Sequence, residues 1–358
     1  MKLAMRHARP AVATTWLLVS AGILFGQQVG EPRQVTVAQL TKIVETTKAR
    51  RDGEAAKEIA QLELTERLSS PKLAALTAKL PGSKAKNALM AVGDTSVFLE
   101  PPPNEIPQKA VPDLMEQKQM LTLVVDYLKT IIPKLPNFYA RRLTTSFENA
   151  WTAKDQQSVH KEGALHSAGV FKATVYVRGG KEVVHGDGVQ ERGLITRGTF
   201  GPILGTVIVD AANSADTQWS RWEAGPNGRM AVFQFDVPQR GSHYQVSGNG
   251  EPGVMDPTAY HGEIGIDPNS GAILRLVLRA DPGLGSSLER ADVMVEYGQV
   301  TIGGKTYVCP VRSVSYSIGS SVTLAGAFTG ESERKVTRLN DVVFSDYHVF
   351  RTEMRIVP

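Results

Sequence analysis

The sequence predicts an α+β protein, in which an N-terminal helical module precedes a large curled antiparallel β-sheet, a half-barrel or a sandwich, that one or two helices cover. Three observations predict this class. Residues 27 to 126 contain one aromatic residue, Phe98, whereas the chain from Tyr127 onward contains 21. Apolar residues recur at helical spacing in the first part and at alternate positions in the second. A proline-rich stretch lies between the parts, so we expect two differently built cores.

The first 26 residues have the layout of a Sec-type signal peptide. Lys2, Arg6 and Arg9 precede an uncharged run from Ala11 to Phe25, and small residues fill the end of that run. The run offers about 15 positions, fewer than the roughly 20 apolar residues that cross a bilayer. This length favours cleavage over an uncleaved membrane anchor. We therefore expect an exported protein that works in the periplasm or outside the cell.

Residues 31 to 100 are predicted to form the helical module. Apolar residues recur at helical spacing from 37 to 68, with one break that divides the pattern into two helices. Ser70 and Pro71 are typical of an N-cap and a first helical turn, and they predict a third helix. A fourth helix is expected from about 83 to 97. Four short helices with short connections indicate a small antiparallel module or two helical hairpins.

Residues 101 to 112 are predicted to be a proline-rich linker. Proline fixes an extended backbone and cannot continue a helix, so this stretch is the candidate domain boundary. The following domain, residues 113 to 358, begins with an amphipathic helix predicted over 113 to 132. A helical insertion is expected between 191 and 214. These two helical pieces are the natural candidates to cover one face of the sheet.

Alternating polar and apolar residues after Asn137 predict about ten antiparallel strands. A hairpin is expected over 260 to 280, with its turn at residues 267 to 271. Glycine pairs at 179–180 and 303–304 predict two further tight turns. The residues expected to share one face of their strand are Phe171, Ala173, Val175 and Val177; Ala231, Phe233, Phe235 and Val237; and Leu274, Leu276 and Leu278.

The domain at 113 to 358 consists of a leading helix, the first strand LPNFYARRLTTSF, the hairpin YHGEIGIDPNSGAILRL and the final strand YHVFRTEMRI. This arrangement resembles the half-barrel of periplasmic lipoprotein carriers of the LolA and RseB type. Proteins of that superfamily hold acyl chains or lipidated partners against the concave face of the sheet, under helices that act as a lid. The resemblance therefore implies a lipid or a lipoprotein as ligand.

Charge and cysteine content exclude several classes of function. Outside residues 1 to 26 the chain carries 37 Lys and Arg against 36 Asp and Glu, without the basic stripe that nucleic-acid binding requires. Cys309 is the only cysteine, which excludes an intramolecular disulfide and a multi-cysteine metal site. Because Cys309 lies in an alternating stretch, we interpret it as a small core residue rather than a nucleophile.

The sequence contains no catalytic motif. His-Glu-x-x-His, Gly-x-Ser-x-Gly, a phosphate-binding loop and a dinucleotide fingerprint are all absent. His185 with Asp187, and Asp210 with Asp216, remain pairs that folding could turn into a site. Solvated loop positions are the commoner explanation of such pairs. We therefore predict no catalytic residue, no metal ligand and no cofactor.

Six apolar residues on predicted strand faces are the candidates for a ligand-binding groove: Phe171, Val175, Phe233, Phe235, Leu274 and Leu276. On the inside of a curved sheet such side chains line a lipid-sized groove. The alternative is that they pack directly on the helices as an ordinary core.

We expect an exported, non-enzymatic binding protein that holds a lipid, an acyl chain or a lipidated partner. The alternative function is a structural or assembly protein of the cell envelope, in which the module at 31 to 100 contacts an envelope protein through an apolar patch. Nucleic acid is not an expected partner of either.

Overall fold

The structure is a computed structural model of the 358-residue chain. It describes residues 32–149, 164–186, 194, 206–207, 210, 216–226, 228–246, 257–283, 286, 288–323 and 332–350. The signal peptide predicted at 1 to 26 and most of the insertion predicted at 191 to 214 lie outside these residues. The fold is α+β, with a ten-stranded antiparallel sheet as its main element. None of the helices described is both long and apolar enough to span a membrane.

The first part of the chain forms four helices: α1 (Val37–Thr47), α2 (Asp52–Ile59), α3 (Ser70–Thr77) and α4 (Ser83–Thr95). Two short parallel strands, β1 (Arg33–Val35) and β2 (Leu62–Leu64), pair between them and were not expected from the sequence. We call residues 32 to 105 the helical segment. Its apolar side chains, including Leu40, Ile59 and Leu89, form a core of their own.

A side-chain cap fixes the start of α1 but not that of α3. Thr36 and Gln39 form a reciprocal capping box at the start of α1. The N-cap of α3 is Ser69, so the predicted N-cap at Ser70 is wrong by one residue. The Ser70 hydroxyl is therefore not used as a cap, and it contacts Glu296 of the sheet instead.

Helix α5 (Leu114–Ile131) confirms the amphipathic helix expected over 113 to 132. Asp113 and Glu116 bond to each other's backbone N–H groups and cap its first turn. In the preceding proline-rich stretch, Pro101 and Pro102 are buried. The Ala110 carbonyl accepts a hydrogen bond of 3.0 Å from the indole N–H of Trp222, so this stretch contacts the sheet.

The ten strands of the sheet are β3 (Phe138–Glu148), β4 (His166–Arg178), β5 (Lys181–Gly186), β6 (Asp216–Gly225), β7 (Gly228–Val237), β8 (Ala259–Ile266), β9 (Ile273–Asp281), β10 (Leu288–Ile302), β11 (Lys305–Thr323) and β12 (Ser332–Val349). Their order is β5-β4-β3-β12-β11-β10-β9-β8-β7-β6, and all neighbours are antiparallel. The sheet is open, with β5 and β6 at its edges. Because β12 returns beside β3, the first and last of these strands are neighbours.

One face of the sheet packs against α5, and we call it the α5 face. Alternate residues of β7, β9 and β10 form its core with Met120 and Val124 of the helix. Leu194 and Val207, which lie in the region of the predicted insertion, join the same core. Both predicted covering pieces therefore contribute side chains to this face.

The opposite face carries most of the buried charge of the sheet, and we call it the charged face. Glu263, Arg275, Glu296, Arg312 and Asp341 lie on this face, on successive strands from β8 to β12. The helical segment packs on it through a small apolar cluster that includes Val97, Phe98, Val277, Met294 and Val314. Charged and apolar contacts together hold the helical segment on the sheet.

Candidate functional site

A cavity of about 490 Å³ lies between the helical segment and the charged face. Its volume falls in the range of roughly 300 to 1,000 Å³ that is usual for small-molecule sites. The apolar part of its lining includes Leu68, Val97, Met230, Leu274, Met294 and Val311. The polar part includes Arg67, Ser70, Glu105, Glu223, Arg275 and Glu296. The cavity thus offers apolar surface beside buried charge.

The first group of charges, the Arg67 cluster, consists of Arg67, Arg221, Glu223, Glu263 and Arg275. Arg275 donates to Glu223 at 3.0 and 3.1 Å and to Glu263 at 3.1 Å. Arg221 binds both oxygens of Glu263 at 2.8 Å, and Arg67 donates to Glu223. Each of these side chains is at most 10% exposed. Arg221 also pairs with the exposed Glu100 at 2.9 Å, so the network joins the helical segment to β6, β8 and β9 and extends to the surface.

Burial alone would raise the pKa of Glu223, but Arg275, Arg67 and Arg221 together lower the pKa to about 2. The pKa of Glu263 is also lowered, because Arg221 and Arg275 outweigh the effect of its burial. Burial, with Arg275 close by, lowers the pKa of Arg67 to about 10. All these groups are therefore ionised at neutral pH, and each charge has a partner.

The second group, the Arg312 cluster, consists of Ser70, Asp94, Glu296, Arg312 and Asp341. Arg312 donates to Asp341 at 2.9 Å, to the Ser70 hydroxyl at 2.7 Å and to Asp94. The Ser70 hydroxyl lies 2.8 Å from both carboxylate oxygens of Glu296. Arg312 thus contacts Asp94 and Asp341 directly, and it reaches Glu296 only through the Ser70 hydroxyl.

Burial raises the pKa of Asp94 well above its ordinary value, the nearby Asp341 adds to this, and Arg312 acts in the opposite direction. Burial likewise raises the pKa of Asp341, against the effect of Arg312. Two buried polar atoms in the clusters, Oδ2 of Asp94 and Nε of Arg275, have no hydrogen-bond partner among the described residues. The Arg312 cluster is therefore short of positive charge, unlike the Arg67 cluster.

The structure places the six predicted groove residues in different surroundings. Phe233, Phe235 and Leu276 lie on the α5 face, are less than 5% exposed and pack in the core with α5. Val175 is buried in a separate cluster near Phe138 and Phe344. Phe171 is half-buried on β4. These five residues do not line the cavity.

Leu274 is the one predicted residue that lines the cavity. An irregularity between Gly265 and Ile266 in the β8–β9 pairing, where Gly265 faces Arg275 and Ile266 faces Ile273, leaves Leu274 without a partner. Leu274 therefore packs with Met230 and Val232, whereas Leu276 packs with Phe233. The predicted shared face of Leu274 and Leu276 is interrupted by this bulge.

The other candidates from the sequence do not form a site within the described residues. Cys309 is buried, and burial raises the pKa of its thiol to about 12, as in a core residue. His185 packs edge-on against Tyr176 at 5.3 Å, and its sequence neighbour Asp187 lies outside the described residues. No group of three or more His, Cys, Asp or Glu in the described part could hold a metal ion.

Asp210 is buried and accepts hydrogen bonds from three donors. The backbone N–H of His243 donates at 2.9 Å and the Tyr260 hydroxyl at 2.8 Å, while Nδ1 of His243 lies 2.6 Å from the other oxygen. These contacts tie the segment after β7 to β8.

Sequence reasoning missed the charged residues of the cavity and of the two clusters. Arg275 was expected on the side of the strand opposite to the leucines, and nothing in the local pattern indicated that helices cover that side. Glu223 and Glu263 stand in alternating strands, where a charged residue is typical of a solvent-exposed face. The available signal was the length of the helical segment, which is long enough to cover a second face.

Comparison of the sequence with protein-family models finds no match, and comparison with curated proteins finds none either.

Proposed function

We propose that this protein is a non-enzymatic binding protein that holds a small ligand with an apolar body, such as a lipid or a free acyl chain, in the cavity. The proposal is supported by the apolar lining of this cavity. Apolar side chains of the helical segment and of four strands surround about 490 Å³ between two layers of the fold. Concave, largely apolar spaces of this size with a few polar groups are the usual form of ligand sites.

The proposal moves the groove expected from the sequence to the other face of the sheet. Phe233, Phe235 and Leu276 fill the space under α5 as an ordinary core, which was the alternative interpretation of those residues. On the charged face, Leu274 and Met294 meet Leu68 and Val97 around an open volume. In this proposal the helical module at 31 to 100 covers the ligand, as a lid does in the carriers that the domain resembles.

The test is native mass spectrometry of the purified protein, alone and with added decan-1-ol. Val311 lines the cavity and is half-buried, so Val311→Trp fills the space from its wall. Val343 lies on the same face, 42% exposed and outside the lining, so Val343→Trp is the matched control. We expect the wild type and V343W to bind the alcohol or to carry a ligand that organic extraction releases, and V311W to do neither. Equal binding by V311W and V343W would reject the cavity as the site.

Export is the second part of the proposal, and residues 1 to 26 support it. Lys2, Arg6 and Arg9 before the apolar run favour Sec recognition. The test is expression of the full chain in an exporting bacterial host, with the mass of the product measured in each fraction. We expect a shortened product outside the cytoplasm, and retention of the full-length chain when Leu17 and Leu18 are changed to Arg. A full-length wild-type product inside the cell contradicts export.

The alternative function, an envelope structural protein, requires an apolar patch on the module at 31 to 100. The exposed large apolar residues of the described part are Val111, Leu114, Met115, Leu143, Val170, Val183 and Val343. All of them lie outside that module, so this geometry favours ligand binding over the alternative.

A further inference from the structure

Glu296 is the one acidic side chain of the cavity lining with which no described cation forms an ion pair. It is half-buried on β10, and Arg275 and Arg312 lie directly opposite it on the two neighbouring strands. Neither arginine makes an ion pair with it. The guanidinium of Arg275 is turned to Glu223 and Glu263, and that of Arg312 to Asp94 and Asp341.

The other glutamates of the lining have cationic partners. Glu223 has Arg67, Arg221 and Arg275, and Glu105 lies 3.2 Å from the Lys72 ammonium. Glu296 has only the Ser70 hydroxyl, which is 2.8 Å from both of its oxygens and supplies a single proton. An ionised carboxylate accepts about four hydrogen bonds, so Glu296 keeps most of its acceptor capacity.

The Arg312 cluster contains fewer cations than carboxyl groups. Arg312 is its one cation, and it contacts Asp94 and Asp341 but not Glu296. Removing a charge from water is costly unless the charge is paired and hydrogen-bonded, so a monocation beside the half-buried Glu296 is favoured.

We propose that the ligand of the cavity is an amphiphilic primary amine, whose ammonium group Glu296 binds and whose alkyl chain lies against Met230, Leu274 and Met294. This inference rests on the proposed function, since it names the head group of the ligand in the same cavity. Ser70 is a positioning residue in this arrangement. Held by Arg312 at 2.7 Å, it orients the Glu296 carboxylate while leaving acceptor sites open toward the cavity.

The cavity is large enough for a whole small molecule and not only for its head group. An ammonium donates three hydrogen bonds, which matches the unused acceptor sites of Glu296. A carboxylate head group would be repelled by Glu296, and both arginines of the lining, Arg67 and Arg275, already form ion pairs with glutamates. The head group is therefore cationic rather than anionic.

The test compares three probes with one chain length: decylamine, decan-1-ol and decanoate, titrated into the full chain by calorimetry at neutral pH. We expect decylamine to bind at least about tenfold more tightly than the alcohol, as for a charge-assisted hydrogen bond, and decanoate to bind most weakly. In Glu296→Gln the preference for the amine over the alcohol should disappear, while the affinity for the alcohol stays within about twofold. Glu58→Gln, which removes a carboxylate paired with Arg50 outside the cavity lining, is the control and should keep the preference.

Each other outcome overturns the inference in an identifiable way. Equal affinities for the three probes, or tightest binding of decanoate, reject the cationic head group and leave the proposed cavity function intact. Failure of all three to bind rejects the proposed function and the inference with it. A preference for the amine that persists in E296Q assigns the ammonium to another carboxylate. If E296Q does not fold, the order of the wild-type affinities for the three probes still tests whether the head group is cationic.

Discussion

At the scale of the residue, the Arg67 cluster depends on Arg275. Its guanidinium contacts Glu223 and Glu263, which are both buried and both ionised. Arg275→Met keeps an unbranched side chain but leaves two buried carboxylates with too few partners. We expect the free energy of unfolding to fall by about 3 to 5 kcal/mol, as measured by urea denaturation.

Arg141→Met is the control for this prediction. Arg141 makes a surface ion pair of 3.2 Å with Asp346 and is 76% exposed, so its loss should cost less than about 1 kcal/mol. Equal losses of stability in R275M and R141M would contradict the description of the Arg67 cluster as a buried network.

Because of Asp94, we expect the free energy of unfolding to depend on pH with the sign opposite to that given by a carboxylate whose pKa is lowered on folding. Burial, together with Asp341, raises its pKa well above the ordinary value of 3.8. A carboxyl group with a raised pKa binds more protons in the folded protein than in the unfolded one. The free energy of unfolding therefore decreases as pH rises from 3.8 through the raised pKa.

Asp94→Asn removes this titration and keeps an acceptor oxygen for Arg312. Urea denaturation at several pH values should give a shallower decrease of stability with pH for D94N than for the wild type. Asp346→Asn is the control, since Asp346 is half-exposed and its positive φ of 51° suits asparagine. An unchanged slope in D94N would mean that Asp94 is ionised across the whole range.

At the scale of the element, the turn between β8 and β9 is held against α5 by Gly271. Its φ is +70°, and an added Cβ would lie 2.3 Å from the backbone of Leu123. Gly180, between β4 and β5, has a similar φ of +75° but nothing within 4 Å of an added Cβ. The two positions share the backbone conformation and differ only in the close approach to α5.

Gly180→Ala should therefore cost about 1 kcal/mol, the strain of a left-handed residue with a side chain. Gly271→Ala should cost about 3 kcal/mol or more, because α5 must also move away from the turn. Thermal unfolding of both variants measures the difference. Similar losses in the two variants would show that α5 does not rest on this turn.

The same hairpin illustrates what local sequence can predict. Its turn at 267 to 271 carries its own signal, and the Asp267 side chain accepts from the N–H groups of Asn269 and Ser270 there. The bulge that turns Leu274 away from Leu276 has no such signal, because it depends on how β8 and β9 pair. Turns and alternating faces were therefore predictable, and the exact lining of the cavity was not.

At the scale of the whole molecule, the pairing of β3 with β12 decides the architecture, and no local pattern indicates it. These strands are more than 180 residues apart, as in the contact of Ser146 with Asn340. The sequence likewise predicted helices before the sheet, but it predicted neither the strand at Leu62–Leu64 nor the face on which the helices pack. Both facts depend on long-range contacts, which individual motifs do not encode.

The helical segment and the sheet each have a core of their own, and this predicts that they differ in local stability. The segment buries Leu40, Ile59 and Leu89 internally, and the sheet buries Phe233 and Leu276 against α5. The contact between the two consists of a small apolar cluster and charged pairs. Charged contacts gain less on burial than apolar ones, because desolvation offsets much of the attraction between the charges.

Hydrogen exchange measured by mass spectrometry tests this difference on the full chain. We expect the amides of α3 and α4 to exchange through an opening of lower free energy than those of β7 to β9. Arg312→Met, which removes the partner of Asp94, should accelerate exchange in α3 and α4 and leave β7 and β8 unchanged. Uniform protection, or equal acceleration in β7 and β8, would mean that the two layers open as one unit. Because the cavity lies between these layers, separate opening would also give a ligand its route of entry.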